Sequence, residues 1–120
     1  MIRALTLFLV VCVLVCAPSV TAQEPPAYIV ATVQIDDRET YQEYAAGFGA
    51  ILGRYDGEIV AVSDDPTILE GAWPETRTVL IRFASRDEAL RWYNSDEYQE
   101  LARIRWSAST ADVIVIDGRR

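Results

Sequence analysis

The sequence predicts one small α+β domain in the order strand–helix–strand–strand–helix–strand, with a four-stranded antiparallel sheet carrying two helices on one face. Three observations predict it. Short runs rich in valine and isoleucine alternate with stretches of helical periodicity, and their order is that of the split βαβ arrangement. Residues 23–120 are enough chain for one hydrophobic core and too few for two.

The first segment is not part of that domain. Met1–Ala22 reads as a secretory signal: Arg3 supplies a positive start, Ala4–Ala17 is apolar except for Thr6, and Val20-Thr21-Ala22 ends in a small-residue cleavage pattern. A membrane span needs roughly 20 apolar residues, and Pro18, Ser19 and Thr21 interrupt this run too early. An uncleaved anchor and lipid attachment at Cys16 are the alternatives. The expected product is an exported protein, periplasmic or secreted, with no membrane contact after cleavage.

Gln23–Pro26 is a short, stiff spacer, and the domain is expected over 27–118. Tyr28–Ile35 predicts the first strand. Asp36 with Glu39 resembles a capping box, after which Tyr41, Tyr44, Ala45, Phe48, Ile51, Leu52 and Tyr55 recur at helical spacing and stop before Gly57. Glu58–Ser63 predicts the second strand; Asp64-Asp65-Pro66 breaks it, and Thr67–Glu70 is expected to resume it. Arg77–Ala84 predicts the third, with Val79, Ile81 and Phe83 on one side. Ser85 with Glu88 caps the second helix, which restarts at Ser95, and Ala111–Asp117 predicts the last strand.

Composition excludes several kinds of chemistry. All 11 basic residues are arginine, set against 18 Asp plus Glu, a net charge of −7 that becomes one unit more negative when Arg3 is removed with the leader. Nucleic acid is therefore not an expected partner, because its binding rests on neutralising phosphates. There is no histidine, and both cysteines, Cys12 and Cys16, lie in the leader. The domain thus has no disulfide, no thiolate and no imidazole base, and neither a metal nor a cofactor is expected. Asp36-Asp37 and Asp64-Asp65 lack the alternating oxygen ligands of a calcium loop and read as a cap and a turn.

The second sheet face needs cover. Ile29, Ala31, Val33 and Ile35 lie on one side of the first strand, but Tyr28 and Val30 lie on the other, where Leu80 and an apolar pair from the last strand join them. A face this apolar is rarely left wet, so a homodimer packed sheet to sheet is expected, with Thr32, Gln34 and Arg82 at its edges or interior. A monomer with a partly wet face is the alternative.

Leu69-Glu70-Gly71-Ala72-Trp73-Pro74, Arg77-Thr78-Val79, Phe83, Ser85, Trp92-Tyr93-Asn94-Ser95 and Tyr98-Gln99 together resemble the family catalogued as domain of unknown function 1330. Tyr41, Tyr44 and Arg54-Tyr55-Asp56-Gly57 are similar to its first half, so the resemblance covers about Ala27–Gly118. It implies the ferredoxin-like fold of the dimeric α/β-barrel superfamily. That superfamily includes cofactor-free monooxygenases, lactone isomerases, haem enzymes and stress-related proteins, so it implies no single activity. The export signal departs from the cytoplasmic setting expected of such domains.

Several residues are candidates for a ligand pocket, and no catalytic residue is identified. Glu70, Trp73 and Arg77 flank the loop between the second and third strands, where they could clamp an anionic or aromatic ligand; an ion pair shielded by tryptophan is the plainer account. Trp92, Tyr93 and Tyr98, with Tyr41, Tyr44 and Phe48, could wall a pocket or simply fill the core. Arg82 and Arg105 could each bind a carboxylate, or pair with Asp112 or Glu97 and reach solvent. The expected function is a small-ligand-binding or accessory protein. The alternatives are a cofactor-independent monooxygenase or isomerase acting on a small aromatic or lactone substrate, and a purely structural dimer module.

Overall fold

The computed structural model describes residues 15–19, 23–73 and 76–120. Most of the signal segment, 1–14 and 20–22, lies outside the described residues. Seven elements run in the order β1 (Ala27–Ile35), α1 (Arg38–Gly53), β2 (Glu58–Ser63), β3 (Arg77–Phe83), α2 (Arg86–Tyr93), α3 (Asp96–Ala108) and β4 (Ser109–Asp117). The strands form one antiparallel sheet in the order β2-β3-β1-β4, the ferredoxin-like arrangement the alternation predicted.

Register decides which residues meet the helices. Ile29 stands opposite Ile81 of β3 and Val115 of β4, and Ala31 opposite Val79 and Val113. With a period of two, Ala27, Ile29, Val33 and Ile35 share the helix-facing side with Ile81 and Phe83, and all six are buried. The helices lay Tyr41, Tyr44, Leu52, Trp92, Tyr98 and Ala102 onto them. Phe83 and Trp92 are each 1 % exposed, and burial of side chains this large is worth about 1.5–3 kcal/mol apiece.

Four local expectations are corrected. The cap of α1 is Asp37, not Asp36: its carboxylate accepts from Thr40 N at 3.1 Å and from the Thr40 hydroxyl at 2.6 Å. Thr67–Glu70 is not a strand, because β3 pairs with β2 only as far as Ser63 opposite Thr78 and, among the described residues, no further strand lies beside it. The restart expected at Ser95 is a full break, which corrects two helices to three. Ser95 ends α2 by donating its hydroxyl to Trp92 O at 2.7 Å and caps α3 by accepting from Tyr98 N, so three helices cover the sheet. Finally, β4 begins at Ser109, directly after Ala108 of α3, and the Ala108 carbonyl accepts from both Asp36 N and Asp37 N.

Two irregularities shape the edge strand β2, one at its entry and one within it. Asp56 takes a positive φ of 53°, and it leads into Gly57, whose backbone lies so close to Leu52 and Phe83 that a β-carbon would overlap both. Further along, a register shift between Ile59 and Ala61 leaves Val60 as a bulge, which returns Val62 to the helix-facing side opposite Val79.

Candidate functional site

The helix layer does not fill the space over the sheet. A cavity of about 170 Å³ remains between them. Its floor is Ile29, Ala31, Val79 and Ile81; its helical walls are Tyr41, Tyr44 and Phe48 from α1, Trp92 from α2, and Tyr98 and Arg105 from α3. The exposed members of the lining, Ala45 on α1 and Ile59 and Val62 on edge strand β2, place its mouth between those two elements.

The helical break makes this wall. Because α2 stops at Tyr93 and α3 starts afresh at Asp96, Trp92 and Tyr98 meet with ring centroids 4.1 Å apart, and Phe48 stands edge-on to Trp92 at 5.8 Å. Trp92 Nε1 is buried with no hydrogen-bond partner. The hydroxyls of Tyr44 and Tyr98, both lining residues, lie 3.0 Å apart. Burial, with the neighbouring Tyr98 hydroxyl, pushes the Tyr44 phenol far above its usual range, so it stays protonated and can donate or accept but not serve as a base.

Two guanidinium groups reach the lining, in opposite electrostatic conditions. Arg77, on the helix-facing side of β3, is neutralised: Nε and Nη2 donate to the two carboxylate oxygens of Asp64 at 2.7 and 2.9 Å. That contact holds the Asp64 carboxyl below its usual range. Arg77 also lies 5.3 Å from the Tyr41 ring centre, and burial raises the Tyr41 pKa against the opposing influence of Arg77. Arg105 is 5 % exposed, lies 5.9 Å from the centre of the Tyr44 ring, and forms no salt bridge among the described residues. Glu97, one of its two expected partners, bridges Arg54 instead.

The structure therefore brings together Tyr41, Arg77, Trp92, Tyr98 and Arg105 from the predicted set, and places the rest elsewhere. Tyr93 borders a separate open groove with Trp106, Ser109 and Asp112, a groove that Arg105 also reaches. Arg82 is exposed on the opposite sheet face, between Tyr28 and Glu58. Glu70 is exposed and forms no salt bridge with Arg77, and Trp73 donates its indole N–H to the Thr78 hydroxyl at 2.9 Å. Tyr44 and Asp64 complete the site. Tyr44 was legible from its position three residues after Tyr41 on one helical face; Asp64, read as a turn, carried no sequence signal of its pairing with Arg77. Among the described residues no cluster of three metal-ligating side chains occurs, and no helix is long and apolar enough to cross a membrane.

This is a ferredoxin-like α+β domain with an aromatic-walled cavity between its helices and its sheet. Residues 26–119 match the family described as domain of unknown function (DUF1330), and the chain belongs to that family. No curated protein sequence matches it. Among solved structures it is similar to a protein of unknown function from Rhodopseudomonas palustris (18% identity, 82% of this chain and 85% of that one, TM-score 0.68). It is also similar to SnoaB, a cofactor-independent oxygenase from Streptomyces nogalater (16% identity, 80% and 95%, TM-score 0.57). A third is a dimeric ferredoxin-like protein of unknown function from Bacteroides fragilis (8% identity, 81% and 100%, TM-score 0.56). At these identities the likeness is one of fold.

Proposed function

We propose that this domain binds a small, largely apolar ligand in the cavity, as an exported binding or accessory protein that works as a homodimer. One observation carries the reading: a space of about 170 Å³ is left open in a core otherwise packed with large aromatic rings, and polar hydroxyl and guanidinium groups face it. Protein interiors leave few voids larger than a water molecule, so a module built only for stability would fill this one.

The test uses neutral single-ring probes. Phenol and benzyl alcohol should raise the melting temperature of the purified protein in a concentration-dependent way, since a ligand that binds only the folded state stabilises it by mass action. Ala45→Trp, an exposed position at the mouth, should abolish that rise while leaving the unliganded protein folded. No stabilisation of the wild type by any such probe would remove the reading.

The homodimer is supported by the sheet face turned away from the helices, where Ile114 and Ile116 are 55 % and 45 % exposed beside Val30 and Leu80, and by the dimeric ferredoxin-like relative. Export is supported by the leader, and an N-terminus at Gln23 in the secreted product would test it.

The buried, hydrogen-bonded Tyr44–Tyr98 pair favours a second reading. Such donors can stabilise an oxyanion, as a cofactor-independent oxygenase of the kind seen among the structural relatives would need. Incubation with quinols under oxygen, without added cofactor, separates the two, because a binding protein yields no product.

A further inference from the structure

Arg105 is the least explained residue in the fold. Guanidinium stays charged at every accessible pH, and a buried charge is retained only where something compensates its lost hydration. Here the side chain is 5 % exposed, and no carboxylate lies within salt-bridge distance among the described residues. The Tyr44 ring at 5.9 Å is a partial substitute. The side chain borders both the cavity and the open groove beside Asp112, and in neither does it form a salt bridge among the described residues.

The rest of the lining is mostly apolar, with Val113, Val79 and Phe48 beside three tyrosines and Arg77. A dry cavity of about 150 Å³ accepts benzene, so this one, at about 170 Å³, has room for a single ring and a small substituent. Arg77 reaches the same lining but is already neutralised by Asp64, which leaves Arg105 as the positive charge there without an acidic partner. The Tyr44–Tyr98 pair adds a donor: two hydroxyls that share one hydrogen bond keep one proton to give.

We infer that the cavity selects a monoanion on a single apolar ring, such as an aromatic carboxylate, with Arg105 as the anion's counter-charge and the aromatic walls holding the ring. This rests on the cavity being a ligand site, and it specifies the chemistry of what enters. The ligand's negative group completes the ion pair that the chain leaves open, and a charge-assisted hydrogen bond to a guanidinium is strong.

The experiment compares benzoate with benzamide, its neutral counterpart of the same shape, by calorimetry on the wild-type protein and on Arg105→Met and Arg105→Lys. The wild type should bind benzoate about ten- to a hundredfold more tightly than benzamide, the ratio a hydrogen-bonded charge commands. Arg105→Met should lose that preference while still binding benzamide, and Arg105→Lys should keep part of it. The unliganded Arg105→Met protein should melt at or above the wild-type temperature, because removal of an unpaired buried charge relieves the fold; a purely structural arginine would lower it. Equal affinity for the two probes in the wild type, or a preference that survives in Arg105→Met, would overturn the inference and leave the binding reading intact. Failure of both probes to bind would overturn both.

Discussion

Loss of either hydroxyl of the Tyr44–Tyr98 pair should cost more than loss of both. The two oxygens are 3.0 Å apart in residues 6 % and 3 % exposed, so each is the other's hydrogen-bond partner within the core. In Tyr98→Phe the bond is gone and the Tyr44 hydroxyl stays buried without it; the two effects together cost about 1–3 kcal/mol. Tyr44→Phe should cost a similar amount for the same reason. In the double variant no hydroxyl is stranded, and the penalty should fall to about 0–1 kcal/mol, well below the sum of the singles. For a domain of this size 1 kcal/mol moves the melting temperature by about 4–8 °C, so the single variants should melt at least that much lower. Urea unfolding of all four proteins, followed by tryptophan fluorescence at one fixed protein concentration, measures the cycle. A double variant destabilised by the full sum of the singles would show that the hydroxyls act independently and refute the pairing.

Gly57→Ala should destabilise the fold by about 1–3 kcal/mol in the same assay, since the added carbon meets Leu52 and Phe83, both buried. The Asp64–Arg77 pair should make stability fall in acid. The folded carboxyl titrates below its ordinary 3.8, so its contribution is present above that value and lost as pH drops through the lowered one. Asp64→Asn should therefore be less stable than wild type by up to about 1 kcal/mol near neutral pH, a modest figure because Asp64 is 47 % exposed, and the difference should vanish once pH falls below the lowered pKa. Ile114→Glu should turn a dimer into a monomer in light scattering after gel filtration; a wild-type protein that is already a monomer would defeat the assembly proposed for that face.

The sequence carried the element order because two periodicities alternate cleanly. The break at Ser95 was readable for a local reason, a cap residue followed by Asp96 and Glu97. What failed depended on partners. Thr67–Glu70 has an extended pattern, but a strand exists only beside another, and β3 offers no pairing past Thr78. Asp36 and Asp37 are equivalent in sequence; the Thr40 hydroxyl selects the second. The face of Arg82 followed from strict alternation with Ile81 and Phe83, and so did that of Arg77. The acid that takes Arg77 did not: Glu70 is seven residues away and Asp64 thirteen, yet the β2–β3 register, with Ser63 opposite Thr78, sets the farther one alongside. Arg105 was legible as an inward position on a helical stripe, while its lack of a partner is a fact of three dimensions.

The direct passage from α3 into β4 limits how this chain can vary. With no residue between Ala108 and Ser109, one insertion there would either turn the upstream helix by about 100° or exchange the two faces of the last strand. The first result would swing Arg105 out of the cavity, and the second would send Val113 and Val115 to the far side of the sheet in place of Ile114 and Ile116. Both surfaces proposed to meet other molecules are thus indexed to one peptide bond.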